Sequence, residues 1–228
     1  MALDVDAVAI RQRRWWRHSV HGADPPARRL PPSDNRWQHG AIVEALYLAG
    51  DEATVWAEWD RHLAEAGIPP NQQMPRDLWT WAVDPGLEVA DLRSTERLKR
   101  VGLAVPRPGR KTWPPHQEVG ETLWREGWPG LLAPSAARPQ DGLILCLFRE
   151  TEGVPRARPL PPPRMVREPP VPPPGMTTRP PSSRLRGPTQ RPWLAAFTIP
   201  VLRGLVDDDA QAGVAARCSV ELGAPSAQ

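Results

Sequence analysis

The sequence predicts an α+β domain followed by a proline-rich tail. Three features lead to this prediction: short apolar runs of strand length, amphipathic helical segments between them, and a sharp rise in proline content after the last apolar run. The chain has 228 residues, enough for one domain with a substantial core. Its longest apolar run, Leu143 to Phe148, is far shorter than the roughly 18 residues of a membrane-spanning helix.

The first 30 residues are interpreted as a lead-in to the domain. Residues 2–13 could form one short helix, and the following residues to position 32 favour an extended segment interrupted by proline pairs. No signal peptide is predicted, because acidic residues come first and no cleavage motif follows. Cys146 and Cys218 are the only cysteines, and Cys146 lies in an apolar run, so a reducing, cytoplasmic setting is expected.

The clearest strand–helix unit starts at Ala45. The segment ALYLA is predicted to be a buried strand, and Gly50 ends it. Asp51 is a natural N-cap for a helix from about Glu52 to Ala66, which Gly67 should end. The apolar face of this helix has helical spacing and comprises Trp56, Trp59, Leu63 and Ala66.

The remaining elements of the domain are shorter. Alternation and apolar character predict further strands, and two segments have helical periodicity. The predicted strands are residues 77–83, 87–92 and 143–148, with a strand or bend at 128–133, and the predicted helices are residues 95–101 and 114–126.

A proline-rich tail covers residues 151–228. It holds 14 prolines between Pro155 and Pro192, a density that excludes interior helices and central strands. The tail is predicted to be largely irregular, partly as polyproline II along the domain surface and partly disordered, with a weak apolar patch at 193–205. The PLPPP segment at 159–163 suits an SH3-like groove, although such prolines are more often spacers.

The distribution of charge argues against nucleic-acid binding. Residues 1–150 hold 19 Lys+Arg and 20 Asp+Glu, whereas residues 151–228 hold 10 and 6. The basic excess therefore lies in the tail, while a nucleic-acid-binding domain should carry a basic face on the fold itself.

Three residues of different chemistry are spaced eleven positions apart: Arg36, Tyr47 and Glu58. Taken singly, each has an ordinary explanation: an exposed arginine, a buried tyrosine with one hydrogen bond, and a glutamate on the solvated face of its helix. Ser135 lies outside any GxSxG motif, and we interpret it as the cap of a turn. The five histidines do not have metal-ligand spacing, so no metal is predicted.

In combination, these residues carry a family resemblance. The ordered segments RWQHG, ALYLAGDEATVWAEW, VADLRSTERLKRVGL and PPHQEVGETLWREGWPGLLAPSAARPQDGLILCLF resemble the RES domain over about residues 13–150, with residues 1–12 as lead-in. The family is named for an arginine, a glutamate and a serine, which here are Arg36, Glu58 and Ser135. Asp34-Asn35 and Gln38 depart from the glycines and the asparagine found in many members, which affects the expected loop shape.

The resemblance implies an ADP-ribosyltransferase-like fold with small mixed sheets flanked by helices. It further implies cleavage of the nicotinamide–ribose bond of NAD by water or inorganic phosphate, without a cofactor, and neutralisation by an antitoxin protein. Glu58 would stabilise the developing ribose cation, Arg36 would bind the pyrophosphate, Tyr47 would stack on nicotinamide, and Ser135 would bind a ribose or the carboxamide. Two alternatives remain: ADP-ribosylation of a protein target, and a non-enzymatic role for the tail.

Overall fold

The computed structural model of the protein describes residues 2–25, 32–149 and 156–177. The expectations for the apolar patch at 193–205, the chain end and Cys218 lie outside these residues. The elements in chain order are β1 (Asp6–Ala9), β2 (Arg14–Val20), β3 (Ala45–Ala49), α1 (Glu52–Ala66), β4 (Arg76–Val83), β5 (Glu88–Asp91), α2 (Thr95–Arg100), α3 (Pro114–Arg125), β6 (Gly130–Pro134), β7 (Leu143–Phe148) and β8 (Ala157–Val166). No helix among the described residues is long and apolar enough to cross a membrane.

The strands form two groups that meet at one place. The hydrogen-bonded order is β1-β5-β6-β7-β3-β2-β4-β8, and only β5 and β6 run parallel. Strands β2 and β3 pair through a single residue pair, Trp16 with Ala49, whereas every other neighbouring pair has at least two. Next to this pair, the Arg17 side chain donates to the Tyr47 carbonyl at 3.2 Å. The α+β prediction is confirmed, and the two strand groups are linked in one series.

Helix α1 begins and ends where its sequence predicts. The Asp51 carboxylate accepts a hydrogen bond from the Thr54 N–H at 2.7 Å, and Gly67 adopts a left-handed conformation with φ of 69°. Its apolar face packs with Ala49 of β3 and Leu78 of β4, and α1 therefore lies beside the junction of the two strand groups.

Two expectations about the chain ends were wrong in part. Residues 6–9 form strand β1, which pairs with β5 over all four residues, and not a helix. Strand β8 lies within the predicted irregular tail and pairs with β4. It is an edge strand, where missing proline N–H groups are tolerated, and Pro161 to Pro163 fall at a shift in register. The PLPPP segment is therefore part of the sheet.

Gly120 lets α3 approach the loop before β3. A Cβ at this position would lie 2.2 Å from the Trp37 carbonyl oxygen, a contact that only a backbone shift could relieve. Gly120→Ala is expected to lower the free energy of unfolding by about 1–3 kcal/mol through overpacking, although alanine ordinarily stabilises a helix. Thermal or urea unfolding measures this, with the exposed Glu118→Ala of the same helix as control. A higher melting temperature for Gly120→Ala would contradict the packing argument.

Candidate active site

A pocket lies where β2 and β3 separate, beside α1. Its volume is about 280 Å³, near the lower end of the roughly 300–1,000 Å³ typical of ligand sites. Its walls come mainly from β2, the loop before β3, β3 itself and α1, and single residues of β4, β6 and β7, of the turn after β6 and of the segment before α3 complete them. The polar and aromatic lining residues are Trp16, Arg17, His18, Asn35, Arg36, Trp37, Tyr47, Glu58, Trp59, Arg61, His62, Arg76 and Trp113.

Arg36 is largely buried at one side of the pocket. Its Nη1 donates to Thr112 Oγ1 at 2.9 Å and its Nη2 to the Arg107 carbonyl at 2.5 Å. Burial and the neighbouring Arg61 lower the pKa of Arg36 to about 10, so the guanidinium stays charged at neutral pH. Arg36 thus ties the loop at 107–112 to the pocket and also presents a positive charge in its wall.

Tyr47 lines the pocket, and its hydroxyl faces the loop before β3. The hydroxyl oxygen accepts the Trp37 N–H at 3.0 Å. Burial, with a contribution from Cys146, raises the pKa of Tyr47 well above its ordinary value, so the phenol stays neutral. The neutral ring fits the aromatic-stacking role expected of Tyr47, which remains a proposal.

The loop around Trp37 is held by Gln38, one of the residues that departs from the family pattern. Its side-chain oxygen accepts the Ala45 N–H at 2.9 Å, and its amide nitrogen donates to the Ser33 carbonyl. The Gln117 amide on α3 donates to the carbonyls of Asn35 and Gln38 at 3.0 and 3.2 Å. The departure at position 38 therefore still gives a closed loop that places Arg36 and Trp37 in the pocket wall.

Glu58 lines the pocket from α1, with 24% of its side chain exposed. Its Oε1 accepts hydrogen bonds from Ser135 Oγ at 2.6 Å and from the Ala137 N–H at 3.1 Å. Its Oε2 faces Arg61, whose Nε and Nη2 lie at 3.0 and 2.9 Å. Burial raises the pKa of Glu58, but Arg61 and the two hydrogen-bond donors outweigh it, and the net pKa is lowered. Glu58 is therefore an ionised carboxylate, where helix spacing alone favours a solvated face.

Ser135 is fully buried behind Glu58 and does not line the pocket. Its hydroxyl donates to Glu58, and the oxygen accepts the N–H groups of Ala137 and Arg138 at 3.1 and 3.0 Å. The expected turn-capping role is thus present, and the serine lies against Glu58. The arrangement differs from the expected direct contact of Ser135 with a ligand, because its only proton is directed at the carboxylate.

Arg61 is one of the pocket residues that the sequence did not single out. It bridges two carboxylates of α1, since its Nη1 also lies 2.6 Å from Glu65 Oε1. Glu65 Oε1 in turn accepts the Gly109 N–H at 2.9 Å, in the loop that Arg36 also holds. The spacing of Glu58, Arg61 and Glu65 is the i,i+3 and i,i+4 pattern of helical ion pairs, which was readable from the sequence.

The charge balance of the pocket favours an anionic ligand that carries a flat ring. Its lining includes four arginines, at positions 17, 36, 61 and 76, and Glu58 as its carboxylate. Five aromatic side chains line the same space: Trp16, Trp37, Tyr47, Trp59 and Trp113. Among the residues that the structure describes, no group of three or more His, Cys, Asp or Glu could hold a metal ion. Arginines suit phosphate groups and aromatic faces suit a cationic or neutral heterocycle.

Comparison with known proteins identifies the family. The model of the RES domain matches residues 11–168. The chain belongs to the RES domain family. The match begins before β2 and extends past β8, so the family unit includes part of the segment first assigned to the tail.

A solved structure shares the fold of this RES domain. It is the crystal structure of the Mycobacterium tuberculosis MbcT–MbcA toxin–antitoxin complex, with a TM-score of 0.52 and 20% sequence identity. The similarity covers 67% of this chain and 86% of that chain. No curated protein matches the sequence significantly.

Replacing Ser135 by alanine distinguishes positioning of Glu58 from direct ligand binding. The change removes the 2.6 Å donor to Glu58 and the acceptor of the Arg138 N–H, while the Ala137 N–H keeps its bond to Glu58 Oε1. If the pocket performs the NAD cleavage that the family resemblance implies, kcat is expected to fall by roughly tenfold or more with a nearly unchanged KM, since misplacing Glu58 would lower the rate. A higher KM with unchanged kcat would instead assign Ser135 to ligand binding.

Proposed function

We propose that this RES domain cleaves the nicotinamide–ribose bond of NAD. The observation that carries the proposal is the ionised Glu58 carboxylate in a pocket whose other charged walls are arginines and whose remaining walls are largely aromatic. NAD has the matching features: an anionic pyrophosphate, a cationic nicotinamide ring and a ribose that becomes cationic during cleavage. The pocket volume of about 280 Å³ suits the nicotinamide-ribose end of the molecule, with the rest extending outward.

The chemistry assigns a task to each group. The bond between the ribose C1′ and the nicotinamide nitrogen breaks, and its electron pair neutralises the pyridinium ring. Positive charge develops on the ribose, and the Glu58 carboxylate stabilises it in a partly desolvated pocket. An oxygen of water or inorganic phosphate then forms the new bond to C1′ and loses its proton to solvent. Arg36 binds the pyrophosphate, and Tyr47 stacks on the nicotinamide.

Product analysis tests the proposal and identifies the acceptor. Purified protein is incubated with NAD in phosphate-free buffer and in phosphate, and nicotinamide, ADP-ribose and phosphorylated ADP-ribose are quantified. Free nicotinamide with ADP-ribose means hydrolysis, and the phosphorylated product means phosphorolysis. ADP-ribose attached to added protein would instead mean that the same pocket serves protein modification. Unchanged NAD under all conditions would refute the proposal.

We further propose that a separate antitoxin protein neutralises this activity. Support comes from the shared fold with MbcT, which was crystallised in a toxin–antitoxin complex. Unrestrained cleavage would deplete a host cell of NAD. Expression of the parent chain should therefore arrest bacterial growth, whereas expression of the Glu58→Gln chain should not. Growth arrest by both chains would show that the toxicity does not depend on Glu58.

A further inference from the structure

A proline-rich segment connects β8 to the turn behind Glu58. Residues 167–177, here called the strap, read REPPVPPPGMT and follow directly on β8. Prolines lack the N–H donor, and among the described residues the hydrogen bonds recorded for the strap are those of Thr177. Upstream of the strap, Arg164 of β8 pairs with Glu52 in the first turn of α1. The strap is thus attached at its two ends and exposed between them.

Thr177 binds the carbonyl groups of the turn that follows β6. Its N–H donates to the Ala137 carbonyl at 2.6 Å. Its hydroxyl lies 3.0 Å from the Ala136 carbonyl oxygen and 3.2 Å from that of Ala137, so the two oxygens share its proton. Both alanines are buried, with 4% and 0% exposure. The bonds from Thr177 therefore fix the orientation of two buried peptide groups.

One of these peptide groups also binds Glu58. The peptide between Ala136 and Ala137 accepts the Thr177 hydroxyl at its oxygen and donates its N–H to Glu58 Oε1 at 3.1 Å. A peptide group is planar, so fixing its oxygen also fixes the direction of its N–H. Hydrogen bonds linked through one peptide polarise each other and strengthen the donor. Thr177 is in this way connected to the carboxylate through a single rigid unit.

The backbone just before Thr177 is suited to this contact. Gly175 has a φ of 74°, a conformation that residues with a Cβ rarely adopt. A Cβ there would also lie 3.1 Å from Asp141 Oδ2, which follows the same turn. The glycine therefore allows the strap to turn close to residues 135–142 and bring Thr177 onto the carbonyls.

We infer that Thr177 is a positioning residue for Glu58, acting through the Ala136–Ala137 peptide. The inference rests on the proposed function for its kinetic consequences, while the structural linkage stands independently. Thr177 does not touch the pocket; it orients the N–H that helps to keep Glu58 ionised. The proline-rich strap, most of which follows the end of the family match at residue 168, thus supports the site of the RES domain and is not a spacer.

The kinetic test compares Thr177→Val with Thr177→Ser in the full chain. Valine keeps the size and removes the hydroxyl, so kcat for NAD cleavage is expected to fall by roughly tenfold with KM nearly unchanged. The acid limb of the kcat–pH profile should also move to higher pH, because a weaker donor leaves the pKa of Glu58 less depressed. Serine should restore both properties. Val171→Ala in the exposed middle of the strap is the control and should match the parent.

Two results would overturn the inference: a valine variant with the parent's kcat and pH profile, or a serine variant as impaired as the valine one. Hydrogen exchange at the Ala137 amide provides a second readout that does not depend on NAD. The exchange rate should rise several-fold in Thr177→Val and stay at the parent's value in Thr177→Ser. If the parent does not cleave NAD, the proposed function fails, and unchanged exchange at Ala137 would separately refute the positioning role.

Discussion

Glu58→Gln is expected to lower kcat for NAD cleavage by roughly a hundredfold to a thousandfold, the range seen when one charge-stabilising group is lost from a transition state. Glutamine has the size of glutamate and can accept the Ser135 and Ala137 donors, but it carries no charge to stabilise the ribose cation. Binding of NAD should change much less, because the arginines and aromatic rings of the pocket remain. Steady-state kinetics and calorimetric titration with NAD measure the two effects.

The control for this variant is Glu118→Gln, the same chemical change at an exposed position of α3. Glu118 does not line the pocket. It should retain parental kcat, and thermal unfolding should show that both variants are folded. If the Glu58→Gln protein keeps the full kcat, Glu58 has no role in the mechanism, even though the fold is that of the RES domain.

Arg61→Gln is expected to move the acid limb of the kcat–pH profile to higher pH and to destabilise the fold. Arg61 lies 2.9 Å from Glu58 and 2.6 Å from Glu65, and it is the main opponent of burial in setting the pKa of Glu58. Without Arg61, the effect of burial is offset only by Ser135 and the Ala137 N–H, so the pKa of Glu58 rises. The loss in free energy of unfolding should be about 2 kcal/mol at neutral pH, less than the roughly 3–5 kcal/mol of a fully buried pair because Glu58 is 24% exposed.

The dependence of this stabilisation on pH has a defined sign. A carboxyl group whose pKa is lower in the folded state stabilises the protein above its unfolded pKa, and this contribution disappears as the pH falls through the folded pKa. The difference in stability between parent and Arg61→Gln should therefore shrink on acidification. Arg61→Lys keeps the positive charge but cannot contact Glu58 through two nitrogens. Its stability should lie between those of the parent and Arg61→Gln. An unmoved acid limb in Arg61→Gln would show that Arg61 does not set the ionisation of Glu58.

The strand and helix around the site were predictable from sequence because their signals are local. The Asp51 cap, the apolar spacing of α1 and Gly67 define the helix as observed, from Glu52 to Ala66. The apolar segment at 45–49 likewise gives β3 as expected. Gathering Arg36, Tyr47 and Glu58 in one pocket was expected from the family resemblance, since no local pattern in the chain relates the three.

Other features depend on contacts that the sequence does not display. Periodicity predicts a solvated Glu58, and only the position of the Ser135 turn against α1 shows that the carboxylate is partly enclosed. Residues 6–9 form a strand because β5 has a free edge with which they pair. A prediction from local sequence does not take this distant partner into account. Strand β8 and the Thr177 contacts were not predicted, because a high proline content limits the hydrogen bonds that a segment can donate. An edge strand tolerates such prolines, since one of its sides has no neighbouring strand.

A time course of free nicotinamide released from NAD by the parent chain and by Glu58→Gln decides whether this pocket cleaves NAD. Both proteins should be used at equal concentration, in phosphate-free buffer and in phosphate. Rapid release is expected from the parent under at least one condition, and at most roughly a hundredth of that rate from the variant. No release by the parent in either buffer, or equal release by the two proteins, would contradict NAD cleavage assisted by Glu58.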